Sequence, residues 1–116
     1  VNTLEDCIFC KIINREIPSK IVYEDENILA FEDVNPLAKV HILLIPKKHI
    51  STLADMKEED KGVIGEIHWV AAKIAEEKGL SEKGYRIVNN CKEYGGQEVF
   101  HIHFHLLGGE KLGIFV

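Results

Sequence analysis

Apolar and polar positions change period several times along the chain, and each change marks an element. Residues 7–14 (Cys-Ile-Phe-Cys-Lys-Ile-Ile-Asn) suit one or two helical turns, with Ile8, Phe9 and Ile12 on one side. Pro18 closes that segment, because a proline drives the residue before it, Ile17, toward extended geometry. Ile21-Val22-Tyr23 and Ile28-Leu29-Ala30-Phe31 flank the acidic run Glu24-Asp25-Glu26-Asn27, which reads as a hairpin. Asp33-Val34-Asn35-Pro36 carries turn chemistry. The nearly all-apolar run His41-Ile42-Leu43-Leu44-Ile45, stopped by Pro46, fits a strand buried on both faces.

A helical period takes over across residues 58–78. Val63, Ile64, Ile67, Val70, Ala71 and Ile74 form an apolar stripe, with Trp69 beside it. Glu58, Glu59 and Asp60 at its start and Lys78 at its end complement the helix dipole, and Gly79 suits the C′ position. Tyr85-Arg86-Ile87-Val88 predicts a fourth strand and residues 99–107 a fifth. The order predicts an α+β fold with a mainly antiparallel five-stranded sheet, one long helix and one short helix. With 116 residues, no linker and no internal repeat, the expectation is one domain over residues 1–116.

The fifth strand carries the most informative pattern. Side chains alternate faces along a strand, so His101, His103 and His105 fall on one face. Phe100, Ile102, Phe104 and Leu106 fall on the other, where they can pack against the long helix. Half of the chain's 6 histidines therefore share one face. Burying three imidazoles for structure alone carries desolvation and hydrogen-bonding demands. One reading is a polar, solvent-facing side of the strand. Another is a three-histidine metal site, although ligands at i, i+2 and i+4 of a strand converge poorly on one ion. The third is a nucleophilic site in which one imidazole attacks phosphorus and its neighbours orient it or move protons. Gly95-Gly96 just before this segment would let backbone N–H groups approach phosphate oxygens.

Charge narrows the partners. The net charge of −5 argues against nonspecific nucleic-acid binding, yet leaves open a small phosphate-bearing ligand held by backbone amides. No run of apolar residues is long enough to span a membrane, and residues 1–6 lack the features of a signal peptide. Of the 3 cysteines, Cys7 and Cys10 have a spacing that suits metal or redox chemistry better than a secreted disulfide framework. The pair is half of a zinc site; idle thiols are the alternative. These features predict a cytoplasmic protein with no nucleic-acid or membrane partner. Cys91 reads as a bystander, His68 as a surface or interface residue, and Lys47-Lys48 as a solvated face.

The run Gly-Gly-Gln-Glu-Val-Phe-His-Ile-His-Phe-His-Leu-Leu-Gly-Gly, residues 95–109, resembles the signature of the histidine-triad (HIT) family. Residues 7–12, Glu16-Ile17-Pro18, residues 31–36 and residues 41–50 resemble its Hint branch, so the likeness covers almost the whole chain. The resemblance implies a purine nucleotide site on an antiparallel sheet that runs continuously across a homodimer. It implies hydrolysis of nucleoside phosphoramidates, of the adenosine 5′-phosphoramidate type and including acyl-adenylates, through a nucleotidyl-histidine. Dinucleoside polyphosphate hydrolysis, or nucleotide sensing with incidental turnover, are the competing expectations. On the matching positions His103 is the nucleophile, flanked by His41 and His105 and supported by His101. Asp33 matches the carboxylate that holds the ribose hydroxyls. Asn90, Gly96, Gln97, Glu98 and Val99 match positions around the phosphate. Phe9, Ile12, Ile17, Leu43 and Ile45 are expected walls for the base. Glu98 stands where many eukaryotic relatives have serine, which shifts the expected contact there to the backbone N–H. His49 and His101 are the partners that the resemblance assigns to Cys7 and Cys10 in a structural zinc site. No organic cofactor is expected. Lys111 to Val116 stands where relatives carry a tail that shapes the leaving-group pocket.

Overall fold

The structure, a computed structural model, describes residues 6–114. The signal-peptide reading of residues 1–5 and the last two positions of the C-terminal segment lie outside the described residues. Helix α1 (Ile8–Ile13) opens the fold; Cys7 caps it, its Sγ accepting the Cys10 N–H at 3.3 Å. Strands β1 (Ile21–Glu24), β2 (Ile28–Glu32) and β3 (Val40–Pro46) follow. Helix α2 (Lys61–Glu77), preceded by one 3₁₀ turn at Glu58–Asp60, leads to β4 (Arg86–Val88) and β5 (Phe104–Gly108). The five strands form one sheet in the order β1-β2-β3-β5-β4, and every neighbouring pair is antiparallel.

Both faces of this sheet are covered, which explains why residues 28–31 of β2 and 42–45 of β3 read as unbroken apolar runs. Ile28 and Ala30 of β2, Ile42 and Leu44 of β3, and Phe104 and Leu106 of β5 pack with Ile67, Val70, Ala71 and Ile74 of α2. Leu29, Phe31, Leu43 and Ile45, the alternate positions, pack with Phe9, Ile12 and Ile13 of α1. Each large apolar side chain buried in this way contributes roughly 1.5–3 kcal/mol. In α1 the buried face is Phe9, Cys10, Ile12 and Ile13, whereas Ile8 is exposed. The expected grouping of Ile8 with Ile12 is thereby corrected: the short helix turns its thiol inward and its first isoleucine outward.

The fifth strand begins at Phe104, not at residue 99. The ladder between β3 and β5 ends at the pair Leu44–Phe104. Upstream of it the chain leaves the sheet, and the Ile102 N–H donates to the Ile50 carbonyl at 2.7 Å instead. Phe100 is consequently exposed and does not pack on α2, while Ile102 keeps its expected place in that core.

Candidate active site

His41 of β3 and His105 of β5 project from the face of the sheet that carries α1. Opposite each other across the ladder stand Leu43–His105 and His41–Leu107, so the two histidines are diagonal neighbours. His41 Nε2 lies 2.9 Å from His105 Nδ1, and Asp33 Oδ2 lies 3.5 Å from the same nitrogen of His41. The Leu37 backbone N–H donates to His41 Nδ1 at 3.0 Å. Asp33 itself is shaped by the turn after β2, where its Oδ1 accepts the Asn35 N–H at 2.8 Å.

His103 sits between these groups and α1. Its Nδ1 donates to the His101 carbonyl at 2.8 Å, so the neutral ring keeps its lone pair on Nε2. The Phe9 ring meets His103 edge-on, with centroids 5.1 Å apart and an interplanar angle of 87°. Asn89 Nδ2 donates to the His103 carbonyl at 2.9 Å and anchors the segment from the residue after β4. Burial lowers the pKa of His103 and of His41, against the opposing pull of the His101 carbonyl on one and of Asp33 on the other. Burial, helped by the neighbouring histidines, pushes His105 down to about 4. At neutral pH all three rings are therefore neutral, each with one donor and one acceptor nitrogen.

These groups line a cavity of about 410 Å³. Asp33, His41, His103 and His105 form its polar floor, and Phe9 and Leu43 its apolar wall. Asn90, Gly96, Glu98 and Val99 border it from the loop before β5. Gly96 has φ +80°, the left-handed region that glycine enters at little cost and that lets this loop turn back over the cavity. Asn90 braces the same loop, its Nδ2 donating to the Gly95 carbonyl at 2.7 Å.

Five residues expected here stand elsewhere. Gln97 does not line the cavity. Its Nε2 donates to the carbonyls of Ser51 and Val99 at 2.8 and 3.0 Å, its Oε1 accepts the Lys92 N–H at 2.7 Å, and its own N–H donates to the Lys92 carbonyl at 3.0 Å. With those groups spent inside the protein, Gln97 is a brace for the loop. The His101 ring likewise does not line the cavity; its carbonyl holds His103 Nδ1, and the ring turns to the Pro46 carbonyl. Ile12, Ile17 and Ile45 belong to the core beneath α1, leaving Phe9 and Leu43 as the walls. Asn35, Leu37 and Asn89 are site residues that the sequence reading missed. Asn35 lies in the turn already noted; Leu37 and Asn89 act through a backbone amide and a buried carbonyl contact that no pattern announces.

The His101 ring belongs to a second cluster. Its Nε2 donates to the Pro46 carbonyl at 2.8 Å, which leaves the Nδ1 lone pair pointing at the two thiols. His101 Nδ1 lies 3.4 Å from Cys7 Sγ, 3.5 Å from Cys10 Sγ and 3.1 Å from His49 Nδ1, and His49 Nδ1 lies 3.4 Å from Cys10 Sγ. All four ligand atoms lie within 4.8 Å of one another, a group that could hold a metal ion. Burial pushes His101 down to about 4 and lowers His49 as well, which keeps both rings in the neutral form that metals bind.

The HIT domain family model matches residues 14–112. The chain belongs to the histidine-triad (HIT) family. It is 53% identical over 109 residues to the purine nucleoside phosphoramidase of Escherichia coli K12, covering 94% of this chain and 92% of that one. Among solved structures, a histidine triad protein from Clostridium difficile superposes with a TM-score of 0.95 at 51% identity, covering 98% of this chain and 99% of that one. A HIT family hydrolase from Legionella pneumophila gives a TM-score of 0.91 at 52% identity, with 93% and 96% covered. The fold expected from the HIT resemblance is thus the one found, with its five-stranded antiparallel sheet and one long helix, and the chain is an enzyme of the HIT hydrolase class. No helix among the described residues is long and apolar enough to cross a membrane.

Proposed function

We propose that this protein hydrolyses purine nucleoside phosphoramidates through a nucleotidyl-histidine intermediate on His103. The observation that carries this reading is the Nδ1–H donation of His103 to the His101 carbonyl at 2.8 Å, in a ring that borders the cavity. With the proton committed to a backbone carbonyl, the Nε2 lone pair is the nucleophile. It bonds to the α-phosphorus as the phosphorus–nitrogen bond of the substrate breaks, and the nitrogen leaves with the electron pair and a proton taken from solvent, as a neutral amine. Water then attacks phosphorus, the bond to Nε2 breaks, and the nucleoside monophosphate departs. Fixed backbone amides near Gly96, Glu98 and Val99 suit the phosphoryl oxygens, because donors already in place stabilise charge at no reorganisation cost. The Asp33 carboxylate suits two ribose hydroxyls, and Phe9 with Leu43 suits a flat base. Phosphoramidates are favoured over acyl-adenylates and dinucleoside polyphosphates by the name of the Escherichia coli relative.

The same reading includes zinc at Cys7, Cys10, His49 and His101. Two thiolates and two neutral imidazoles form a common tetrahedral zinc set, and the His–His and three Cys–His separations of 3.1–3.5 Å are close to the edges of a tetrahedron with bonds of roughly 2.0–2.3 Å. Bound there, zinc would tie the start of α1 to the end of β3 and to the segment carrying His103. It also includes a homodimer with a continuous sheet, supported by Trp69, which is 63% exposed on α2, and a cytoplasmic location, supported by three cysteines outside any disulfide.

The decisive experiment compares wild type with His103→Ala on adenosine 5′-phosphoramidate. The variant should lose turnover by several orders of magnitude and still bind adenosine monophosphate in calorimetry. Full activity in the variant would refute the mechanism, and negligible wild-type turnover of every phosphoramidate would favour a nucleotide-sensing role.

A further inference from the structure

We infer that the backbone N–H of Leu37 fixes the ring tautomers of both His41 and His105, which makes Leu37 a positioning residue for the cavity. Only the consequence for catalysis rests on the proposed function; the tautomers rest on geometry. A backbone N–H can only donate, so at 3.0 Å it requires a lone pair on His41 Nδ1. The one proton of a neutral His41 ring must then sit on Nε2. Two acceptors face that nitrogen: His105 Nδ1 at 2.9 Å and the Asp33 carboxylate at 3.5 Å. His105 Nδ1 therefore holds a lone pair as well, and the His105 proton sits on Nε2. The chain of donors runs from Leu37 through His41 to His105, and ends with an N–H on a ring that lines the cavity.

The reverse direction fails at its first link. A proton on His105 Nδ1 would need a lone pair on His41 Nε2, and the His41 proton would move to Nδ1. There it would confront the Leu37 N–H, donor against donor, at a separation of 3.0 Å that leaves no space for a water between the two nitrogens, in a ring only 5% exposed. A doubly protonated His41 meets the same conflict, and burial disfavours it in addition. The Leu37 amide also decides between two uses of one cluster. Asp33, His41 and His105 offer three ligand atoms within 4.8 Å, as a cation site would. Coordination through His41 Nε2 would force the proton onto Nδ1, again against Leu37. The cluster is a proton-ordered hydrogen-bond chain that ends in a donor on His105, a residue that lines the same cavity as His103. Leu37 itself is 79% exposed, so its contribution is its amide and not its side chain.

Long-range proton–nitrogen NMR of the histidine rings at pH 7.5 reads the tautomers directly, without substrate. His41 and His105 should both appear as Nε2–H forms in the wild type and in Leu37→Ala, which keeps the amide. Leu37→Pro deletes it, and should give mixed tautomers at both rings. With adenosine 5′-phosphoramidate its kcat/KM should fall about tenfold, and more than in Leu37→Ala. An Nδ1–H form of either ring in the wild type would overturn the inference, as would unchanged ring signals in a folded Leu37→Pro. Should the proline variant not fold, an ester in place of the amide at position 37 removes the same donor and is read in the same way. Expected tautomers together with no phosphoramidate turnover would keep this inference and refute the function proposed above.

Discussion

Replacing Phe9 by alanine tests whether α1 holds the nucleophile in place. Phe9 is 6% exposed. Its ring makes edge-on contacts with Phe31, His101 and His103, at centroid distances of 5.6, 6.0 and 5.1 Å. Truncating a buried phenylalanine costs about 3–5 kcal/mol. Here one side of the ring borders the cavity of about 410 Å³, so water fills part of the vacated space and the low end, about 3 kcal/mol, is expected. For a chain of this size that corresponds to a fall in Tm of about 12 °C. Catalysis should suffer separately. Loss of the ring frees His103 to swing about its hydrogen bond to the His101 carbonyl, and removes part of the apolar wall. We expect kcat for adenosine 5′-phosphoramidate to fall and KM to rise, with Phe9→Leu between the variant and wild type in both. Thermal melting by circular dichroism and steady-state kinetics on the same preparations measure the two effects. A Tm within about 3 °C of wild type, or an unchanged kcat/KM in Phe9→Ala, would refute the idea that this ring buttresses the histidine.

Two further predictions concern protons and metal. Burial holds folded His105 at about 4, below the ordinary value of 6.5, so between those pH values the unfolded chain binds more protons. Stability from this group is complete above pH 6.5 and is lost as the pH falls through 6.5 toward 4. The half-buried ring is screened by solvent, so roughly 1–2 kcal/mol is expected at this one site; urea midpoints between pH 7 and pH 4 should drop, less steeply in His105→Asn, and a flat profile would contradict the assignment. Elemental analysis of protein purified without added metal should find about one zinc per chain, and almost none in Cys10→Ser, with a lower Tm in that variant and after chelation. Absence of zinc from a stable wild-type protein would remove the metal reading.

Where the sequence reading succeeded, burial on two faces or on one stripe had left a period in the residues. Residues 28–31 of β2 and 42–45 of β3 are apolar without a break because α1 and α2 cover opposite faces, and the stripe from Ile67 to Ile74 is the contact of α2 with the sheet. The candidate chemistry was legible for the same local reason: Cys7 and Cys10 are spaced to share one turn of helix, and His103 and His105 are spaced to share one side of an extended chain. The failures occur where alternation continues and the ladder does not. Residues 99–103 have the composition of a strand, yet pairing stops at Leu44–Phe104, because the carbonyl of Pro46 is taken by the His101 side chain and that of Ile50 by the Ile102 N–H. Which partner claims a carbonyl is a tertiary fact. So is the loss of Gln97 to the loop it braces, since an amide side chain that binds a ligand and one that binds its own backbone are spelled alike.

His101 shows why three evenly spaced histidines end in two different sites. A neutral imidazole has one proton and one lone pair, so fixing the proton decides what the ring can do. His101 gives its proton from Nε2 to the Pro46 carbonyl, and its Nδ1 lone pair turns to the thiols as a ligand atom. His103 gives its proton from Nδ1 to the His101 carbonyl, and its Nε2 lone pair becomes the nucleophile of the proposed reaction. Neither ring retains a proton for the cavity. The donors that a phosphoryl group needs must therefore come from His105 and from the loop amides, which is what the direction of the Leu37–His41–His105 chain provides. The division of labour among the histidines thus follows from which backbone groups lie beside each ring, and the spacing alone does not dictate it.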